Sequence, residues 1–207
     1  MAICHSLCAI CLIMENLFIF ILGLIIGSFL NVLIFRLPEN KSILGFSKCP
    51  RCQKKISWYD NIPVISFFIL KGRCRSCKNR ISWQYPLVEL LTAFLFLFSF
   101  LIYRGNPLFL IYTLFLISLF IVIAVIDLKH LMILDSLILA GFIISLSYFM
   151  LSNFYFLAAL YPATLSSGVY GLLFFAGIYF SIFLMSKGKW IGFGDVKLAA
   201  FLGFAFG

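Results

Sequence analysis

Long apolar segments separated by short polar stretches make up most of this chain. Five of them are about 18 residues or longer, the length that lets an α-helix cross a bilayer, and they begin near Leu17, Pro86, Pro107, Met132 and Leu165. A sixth, from Gly194 to Gly207, has only fourteen residues, or about 21 Å of helix against a hydrocarbon layer of about 30 Å. The pattern predicts an all-α polytopic membrane protein with about six apolar spans, the last incomplete and the chain truncated at its C-terminus.

The composition indicates that lipid is the solvent of these segments. Hydrophobic residues make up 64% of the chain and charged residues 11%. A soluble core cannot bury so much apolar surface, so the composition excludes an ordinary soluble domain and predicts a lipid bilayer as partner. One membrane-embedded region with one small polar insertion fits the length of 207 residues.

Positive charge is concentrated in one polar segment. Eleven of the sixteen Lys and Arg residues lie between Arg36 and Arg80, and the formal net charge of the chain is +9. Such clustering between two spans is typical of a cytosolic loop in a membrane protein, and this explanation is favoured over nucleic-acid binding. Counting crossings from a cytosolic loop places both Asp127 and Asp195 at the cytosolic side of the membrane.

Two CxxC motifs in this loop predict a metal site. Cys49–Cys52 and Cys74–Cys77 are separated by twenty-one residues. Each CxxC turn directs two sulfurs to one point, and the two turns together complete a tetrahedral Zn²⁺ site with Cys49, Cys52, Cys74 and Cys77 as ligands. Free thiols or an occasional disulfide remain the alternative, although the cytosol is reducing. Four thiolates leave no position for an activated water, so the ion would be structural, in a zinc-ribbon-like module at 36–85.

Acidic residues are rare, and two of the seven suggest catalysis. Asp127 follows an apolar run, and Asp195 lies at the start of the last apolar stretch. Two carboxylates that face each other can share one proton, so that one holds water as general base while the other protonates a carbonyl. The structural alternative is that Asp195 caps its helix and Asp127 pairs with Lys129 or Lys197.

Three further polar residues lie in or beside apolar helices, where such groups are costly and often functional. Asp135 could replace Asp127 in the pair, but capping of the next helix explains Asp135 better. Asn31 is expected to form an interhelical hydrogen bond. Glu89, three residues into the second span, is either a packing partner or part of a site wall, and it is the one candidate for cofactor binding.

In combination, these motifs resemble the type IV prepilin peptidases, bacterial inner-membrane aspartic proteases of the GxGD type. The matching strings follow one another along the chain from about Gly23 onward. They are Gly27–Val32, Arg36–Pro38, the two CxxC motifs, Trp58–Pro63, Tyr85–Glu89, Ile126–Asp127 and Gly192–Lys197. One departure is Leu134, which precedes Asp135 where the family usually has proline.

The resemblance implies cleavage of leader peptides from type IV prepilins and pseudopilins at the cytosolic membrane face, with Asp127 and Asp195 as the catalytic pair. Family members that retain the cysteine module also methylate the new N-terminus with S-adenosylmethionine, so an N-methyltransferase activity is implied as well. The substrates would serve type IV pili or type II secretion, and the location would be the bacterial inner membrane. No glycine-rich nucleotide loop marks a methyl-donor site.

Three parts are expected along the chain: an N-terminal extension with the first span (1–35), the Cys4 zinc module (36–85) and a membrane-embedded aspartic peptidase core (86–207). The alternative function is a catalytically impaired membrane scaffold that binds prepilin or pilus-assembly partners through the zinc module. A transporter is disfavoured, because the ionisable groups gather at one face rather than at the bilayer midplane.

Overall fold

The computed structural model describes residues 2–154 and 165–206. Within these ranges lie seven α-helices: α1 (Ala2–Arg36), α2 (Ile65–Ile69), α3 (Gln84–Tyr103), α4 (Pro107–His130), α5 (Asp135–Phe154), α6 (Leu165–Ser186) and α7 (Phe193–Phe206). A short 3-10 helix covers Trp58–Asn61. No β-strand forms in the described ranges, which contain only two isolated antiparallel bridges. The predicted all-α class is confirmed.

Five helices are long and apolar enough to cross a membrane. They are the Leu12–Arg36 part of α1, α3, α4, the Asp135–Ser152 part of α5, and α6. Helix α7 has 14 residues in the described part of the chain. The chain is therefore a multi-pass membrane protein.

The helices differ from the sequence-based bounds mainly at their ends. Helix α1 continues through the residues that were expected to form a separate extension. Helix α3 begins at Gln84, so Pro86 lies in its first turn, where the missing N–H of proline is tolerated. Helix α4 continues past Asp127 to His130 and is capped by Leu131, whose φ of 50° is left-handed. The sequence also predicts a less regular stretch through Pro162 before the fifth span, and its residues from 155 onward lie outside the described ranges.

The chain divides into two compact units, residues 1–104 and 105–207. In unit one, α1 packs along α3, and the polar segment between them forms the cysteine module. Two glycines permit this approach, because a Cβ on Gly23 would lie 2.5 Å from the Ala93 Cα and one on Gly27 would lie 2.7 Å from the Glu89 Cα. The face of α1 that carries Gly23 and Gly27 is thus a helix-packing surface.

The buried amide of Asn31 joins α1 to α3 at the end that carries the module. Asn31 Nδ2 donates to the carbonyl oxygen of Tyr85 at 3.1 Å and to that of Gly27 at 3.3 Å. In return, Gln84 Nε2 donates to Asn31 Oδ1 at 3.5 Å. Because Gln84 and Tyr85 begin α3, this network fixes the start of α3 against α1. The predicted interhelical hydrogen bond is confirmed.

Unit two is built around α7. Helices α4 and α5 form a hairpin with a four-residue connection, and α7 packs against α5 and α6. Phe201 of α7 is completely buried, and its ring contacts that of Phe120 in α4. Tyr112 of α4 donates its hydroxyl hydrogen to the Ala205 carbonyl oxygen at 3.0 Å. The last apolar stretch is therefore packed into the core of this unit.

Candidate functional site

The two CxxC motifs form a matched pair of turns. In each turn the carbonyl oxygen of the first cysteine accepts from the residue four positions on, and its N–H donates to the carbonyl of the residue five positions on. The backbone N–H groups of Gln53 and Lys78 donate to the carbonyl oxygens of Cys49 and Cys74, respectively. The N–H groups of Cys49 and Cys74 donate in turn to the carbonyl oxygens of Lys54 and Asn79. Left-handed φ values of 57° at Gln53 and 56° at Lys78 close the two turns. The repetition brings both cysteine pairs into the same geometry.

The four cysteine sulfurs converge on one point. All four Sγ atoms lie within 4.8 Å of one another, and those of Cys49 and Cys77 are 3.8 Å apart. A Zn²⁺ ion with four thiolates at about 2.3 Å in a tetrahedron places its sulfurs about 3.8 Å apart. A hydrogen bond from the Cys52 backbone amide lowers the pKa of Cys49 to about 7, whereas burial and the other cysteine side chains raise the pKa of Cys77 to about 11. Cys49 is therefore the cysteine of this cluster that most readily becomes the thiolate that binds metal. The donor set therefore fits a structural zinc ion held by Cys49, Cys52, Cys74 and Cys77.

An ion pair that the sequence analysis missed braces the second CxxC turn. Arg75 lies inside that turn and donates from Nε and Nη2 to the Asp60 carboxylate, at 2.9 and 2.6 Å. The Tyr59 ring centre lies 5.2 Å from the guanidinium carbon of Arg75. Asp60 is one of only two acidic residues among many basic ones in 36–85. That isolation is the signal that could have identified its role.

A cleft of about 930 Å³ lies in unit one between the cysteine module and the start of α3. Ser28, Asn31, Tyr85 and Glu89 line it from the helices, and loop residues and the second CxxC turn line it from the module. Arg36 shapes one edge, because its guanidinium donates to the carbonyl oxygens of residues 42, 43, 45 and 46. The volume is in the range of sites that hold small molecules.

The Glu89 side chain faces this cleft from α3. The residue is only 7% exposed, and its Oε2 accepts a hydrogen bond from the Val64 backbone N–H at 2.7 Å. Val64 precedes α2 with φ of 60°, a conformation that is unfavourable for a β-branched residue. The hydrogen bond holds this strained residue, so Glu89 attaches α2 of the module to α3.

Asp195 is exposed at the third position of α7. Its Oδ2 accepts a hydrogen bond from the Gly192 backbone N–H at 3.0 Å. In this arrangement the side chain of the third helical residue satisfies a backbone donor that precedes the helix. The helix-capping contact considered as the structural alternative for Asp195 is present.

Asp127 is exposed near the end of α4. Among the described residues its carboxylate takes part in no ion pair, so the pairing with Lys129 or Lys197 considered as the structural alternative is wrong. Lys197 donates instead to both carboxylate oxygens of Asp135, at 2.7 and 2.8 Å. Asp135 is thus the first residue of α5 and is paired with Lys197.

The helix ends bring these acidic residues to one end of unit two. Helix α5 begins four residues after α4 ends, so Asp127 and Asp135 share this end. Helix α7 begins beside the start of α5, where Lys197 binds Asp135 and a Cβ on Gly194 would lie 3.4 Å from the Ile133 side chain. Asp127 and Asp195 therefore lie at the same end of the unit, and both are exposed.

Comparison with known proteins covers both units. The family model described as Bacterial Peptidase A24 N-terminal domain matches residues 21–103. The model described as Type IV leader peptidase family matches residues 114–207. No solved structure matches the chain.

Several similar proteins carry the name prepilin leader peptidase/N-methyltransferase. The one from Klebsiella pneumoniae is 37% identical over 198 residues, which cover 90% of this chain and 82% of the relative. The one from Bacillus subtilis is 36% identical over 192 residues, or 91% of this chain and 73% of the relative. A protein from Myxococcus xanthus is 50% identical over 114 residues, but these cover 55% of this chain and only 34% of the relative. Matches of this extent, together with the two family models, show that the chain belongs to the type IV leader peptidase family.

Proposed function

We propose that this protein is a membrane aspartic endopeptidase that removes the leader peptide of type IV prepilins or pseudopilins, with Asp127 and Asp195 as the catalytic pair. The observation that carries the proposal is the position of both carboxylates at one exposed end of unit two, in a chain of the type IV leader peptidase family. The concentration of Lys and Arg in the loop before α3 supports a cytosolic site of cleavage. The bacterial inner membrane is the corresponding location.

In the proposed reaction, one carboxylate is ionised and takes a proton from a water molecule as the water attacks the scissile carbonyl carbon. The other carboxyl is protonated and donates to the carbonyl oxygen, which gives a neutral tetrahedral intermediate. The first carboxyl then gives the proton that it took from water to the leaving amine, and the peptide bond breaks. The second carboxylate takes a proton back from a hydroxyl of the intermediate as the carbonyl reforms, so both groups return to their starting states. Both carboxyls must contact the same water, so Asp195 must exchange its hydrogen bond with the Gly192 N–H for one with that water.

A second activity, methylation of the new N-terminus, is proposed for unit one. S-adenosylmethionine, when bound, supplies a methyl group carried by a positively charged sulfur. The cleft beside the cysteine module has a suitable volume and polar groups on both walls. The zinc ion proposed for the four cysteines keeps the module folded and so maintains the module side of this cleft.

The peptidase proposal is tested with Asp127→Asn and Asp195→Asn in the full chain, incubated in membranes with a prepilin. Each variant is expected to lose cleavage by at least about a hundredfold, the loss expected when a general acid or base is removed. Mass measurement of the product separates leader removal from methyl addition.

Asp135→Asn is the matched control, because Asp135 lies at the same end of unit two but is bound by Lys197. This variant is expected to retain most of its cleavage. Retained cleavage in Asp127→Asn together with loss in Asp135→Asn would transfer the role to Asp135. Prepilin binding by the unmodified chain without any processing would favour the scaffold.

A further inference from the structure

The Glu89 carboxylate is buried without a cationic partner. Glu89 is 7% exposed, and a buried carboxylate is costly unless a positive charge or several hydrogen bonds compensate it. In the described residues of unit one, the ion pairs join Lys41 to Glu39 and Arg75 to Asp60, and no Lys, Arg or His pairs with Glu89. The groups that do contact the carboxylate, the Val64 N–H and the Ser28 hydroxyl, are neutral. When it is ionised, the Glu89 carboxylate therefore has no compensating positive charge among the described residues of unit one.

The cleft offers this carboxylate to a ligand of small-molecule size. Glu89 lines the cleft of about 930 Å³ from the helix side, together with Asn31 and Tyr85. Asn31 is already fixed by its hydrogen bonds to the start of α3 and to α1. Glu89 is therefore the one acidic side chain that this wall presents to the cleft.

The opposite wall has the other sign of charge. Lys48, Lys54, Lys55 and Arg80 of the cysteine module line it, and within the described structure none of the four takes part in an ion pair. The ring of Phe46 lies under the Lys55 ammonium, 3.0 Å from it, and adds an aromatic surface. The cleft is thus acidic at α3 and basic at the module, which suits a ligand that carries both a cation and a carboxylate.

We propose that Glu89 binds the positively charged portion of S-adenosylmethionine, whose sulfonium and amino acid ends match the two walls of the cleft. This inference rests on the proposed methyl transfer and assigns the donor site that the sequence does not reveal. Glu89 acts here as a binding residue, and its hydrogen bond with Val64 keeps the carboxylate oriented towards the cleft.

The test compares two probes that differ in charge at sulfur. Binding of S-adenosylmethionine, with its cationic sulfonium, and of S-adenosylhomocysteine, with a neutral sulfur, is measured by calorimetry on the full zinc-loaded chain in lipid nanodiscs. The chain is expected to bind the cationic probe about tenfold more tightly, since an opposite charge within about 4–6 Å stabilises a charged group by at least this order. Glu89→Gln keeps an oxygen that can accept the Val64 N–H but removes the negative charge. This variant is expected to lose the preference, because its affinity for S-adenosylmethionine falls while its affinity for S-adenosylhomocysteine does not change.

Asp135→Asn is the matched control, because it makes the same change from carboxylate to amide at an exposed residue of unit two, outside the cleft. It should leave both affinities unchanged. Zinc content, measured for every variant, shows that the module is folded. An undiminished preference for the cationic probe in Glu89→Gln overturns the assignment.

Two further outcomes separate this inference from the proposed methyl transfer. If the unmodified chain methylates a prepilin and Glu89→Gln still binds the donor normally, the Glu89 assignment fails while the methyltransferase stands. If the unmodified chain neither binds the donor nor adds a methyl group, both fail. A third arm uses a mature pilin N-terminal peptide with a free or an acetylated amine. If Glu89→Gln loses affinity only for the peptide with the free amine, the carboxylate binds the methyl acceptor. That outcome overturns the assignment of Glu89 to the methyl donor.

Discussion

Single acidic residues in this protein differ in what they already contact, and this difference separates their roles. Asp60 and Asp135 are held by Arg75 and Lys197, so their carboxylates are occupied in structural ion pairs. Asp195 accepts one backbone N–H, and Asp127 is exposed without an ion-pair partner among the described residues. The two aspartates outside these ion pairs are those that the proposed reaction uses.

Loss of the Asp60 charge is expected to weaken zinc binding. Asp60→Asn removes the charged partner of Arg75, which lies between the proposed zinc ligands Cys74 and Cys77. Partners that orient metal ligands typically contribute tenfold to a hundredfold in affinity, and about tenfold is expected for this more distant contact. Competition between the purified protein and a chelating dye measures the affinity. An affinity unchanged by the substitution would show that the ion pair does not support the turn.

At the scale of helices, close packing depends on residues without a side chain. Helices α1 and α3 meet at Gly23 and Gly27, where no Cβ fits without movement of the α3 backbone. Helix α6 also carries glycine, but a Cβ added at Gly177 would meet no heavy atom within 4 Å. The same residue type is therefore a packing requirement on one helix and replaceable on another.

Gly27→Ala is expected to destabilise unit one by about 1–3 kcal/mol, the usual cost of an added methyl group in a tightly packed interface. The backbone at Glu89 must move to admit it, since the new Cβ would lie 2.7 Å from the Glu89 Cα. Gly177→Ala is the matched control and is expected to be neutral or slightly stabilising, because alanine favours a helix by about 1 kcal/mol over glycine. The free energy of unfolding of both variants is measured in lipid micelles. Equal effects at the two positions would contradict the packing explanation.

At the scale of the whole molecule, the two compact units divide the proposed chemistry. Unit one contains the cysteine module and the cleft, and unit two contains Asp127 and Asp195. Each unit has its own core, with residues such as Val88 and Phe96 in the first and Phe149 and Phe201 in the second. Damage to the module is therefore expected to affect the two activities unequally.

Removal of zinc is expected to abolish methyl transfer while most leader cleavage is retained. The module is small and poor in buried apolar residues, so its fold depends on the metal, and one wall of the cleft is lost with it. The measurement is product mass after treatment with a strong chelator, with zinc added back as the control for reversibility. Parallel loss of cleavage and methylation would show that the peptidase end of unit two also needs the folded module.

Much of this organisation is predictable from the chain because it follows from local pattern. Apolar length predicts the five spans, and CxxC spacing predicts the converging cysteines that the structure brings within 4.8 Å. The partners of Lys197 and Arg75 were not predictable, since Lys197 binds a residue 62 positions away and Arg75 one 15 positions away. No periodicity carries information about such pairs.

The sequence by itself determined the class of the protein, its five full-length apolar spans and the residues able to bind metal. These depend on solvation and on ligand type, which are properties of the residues themselves. Only the tertiary structure decided that the short last stretch is a core helix, that Asp135 is bound by Lys197, and that Glu89 faces a cleft. Those outcomes depend on which helices lie side by side, and chain connectivity alone does not specify that.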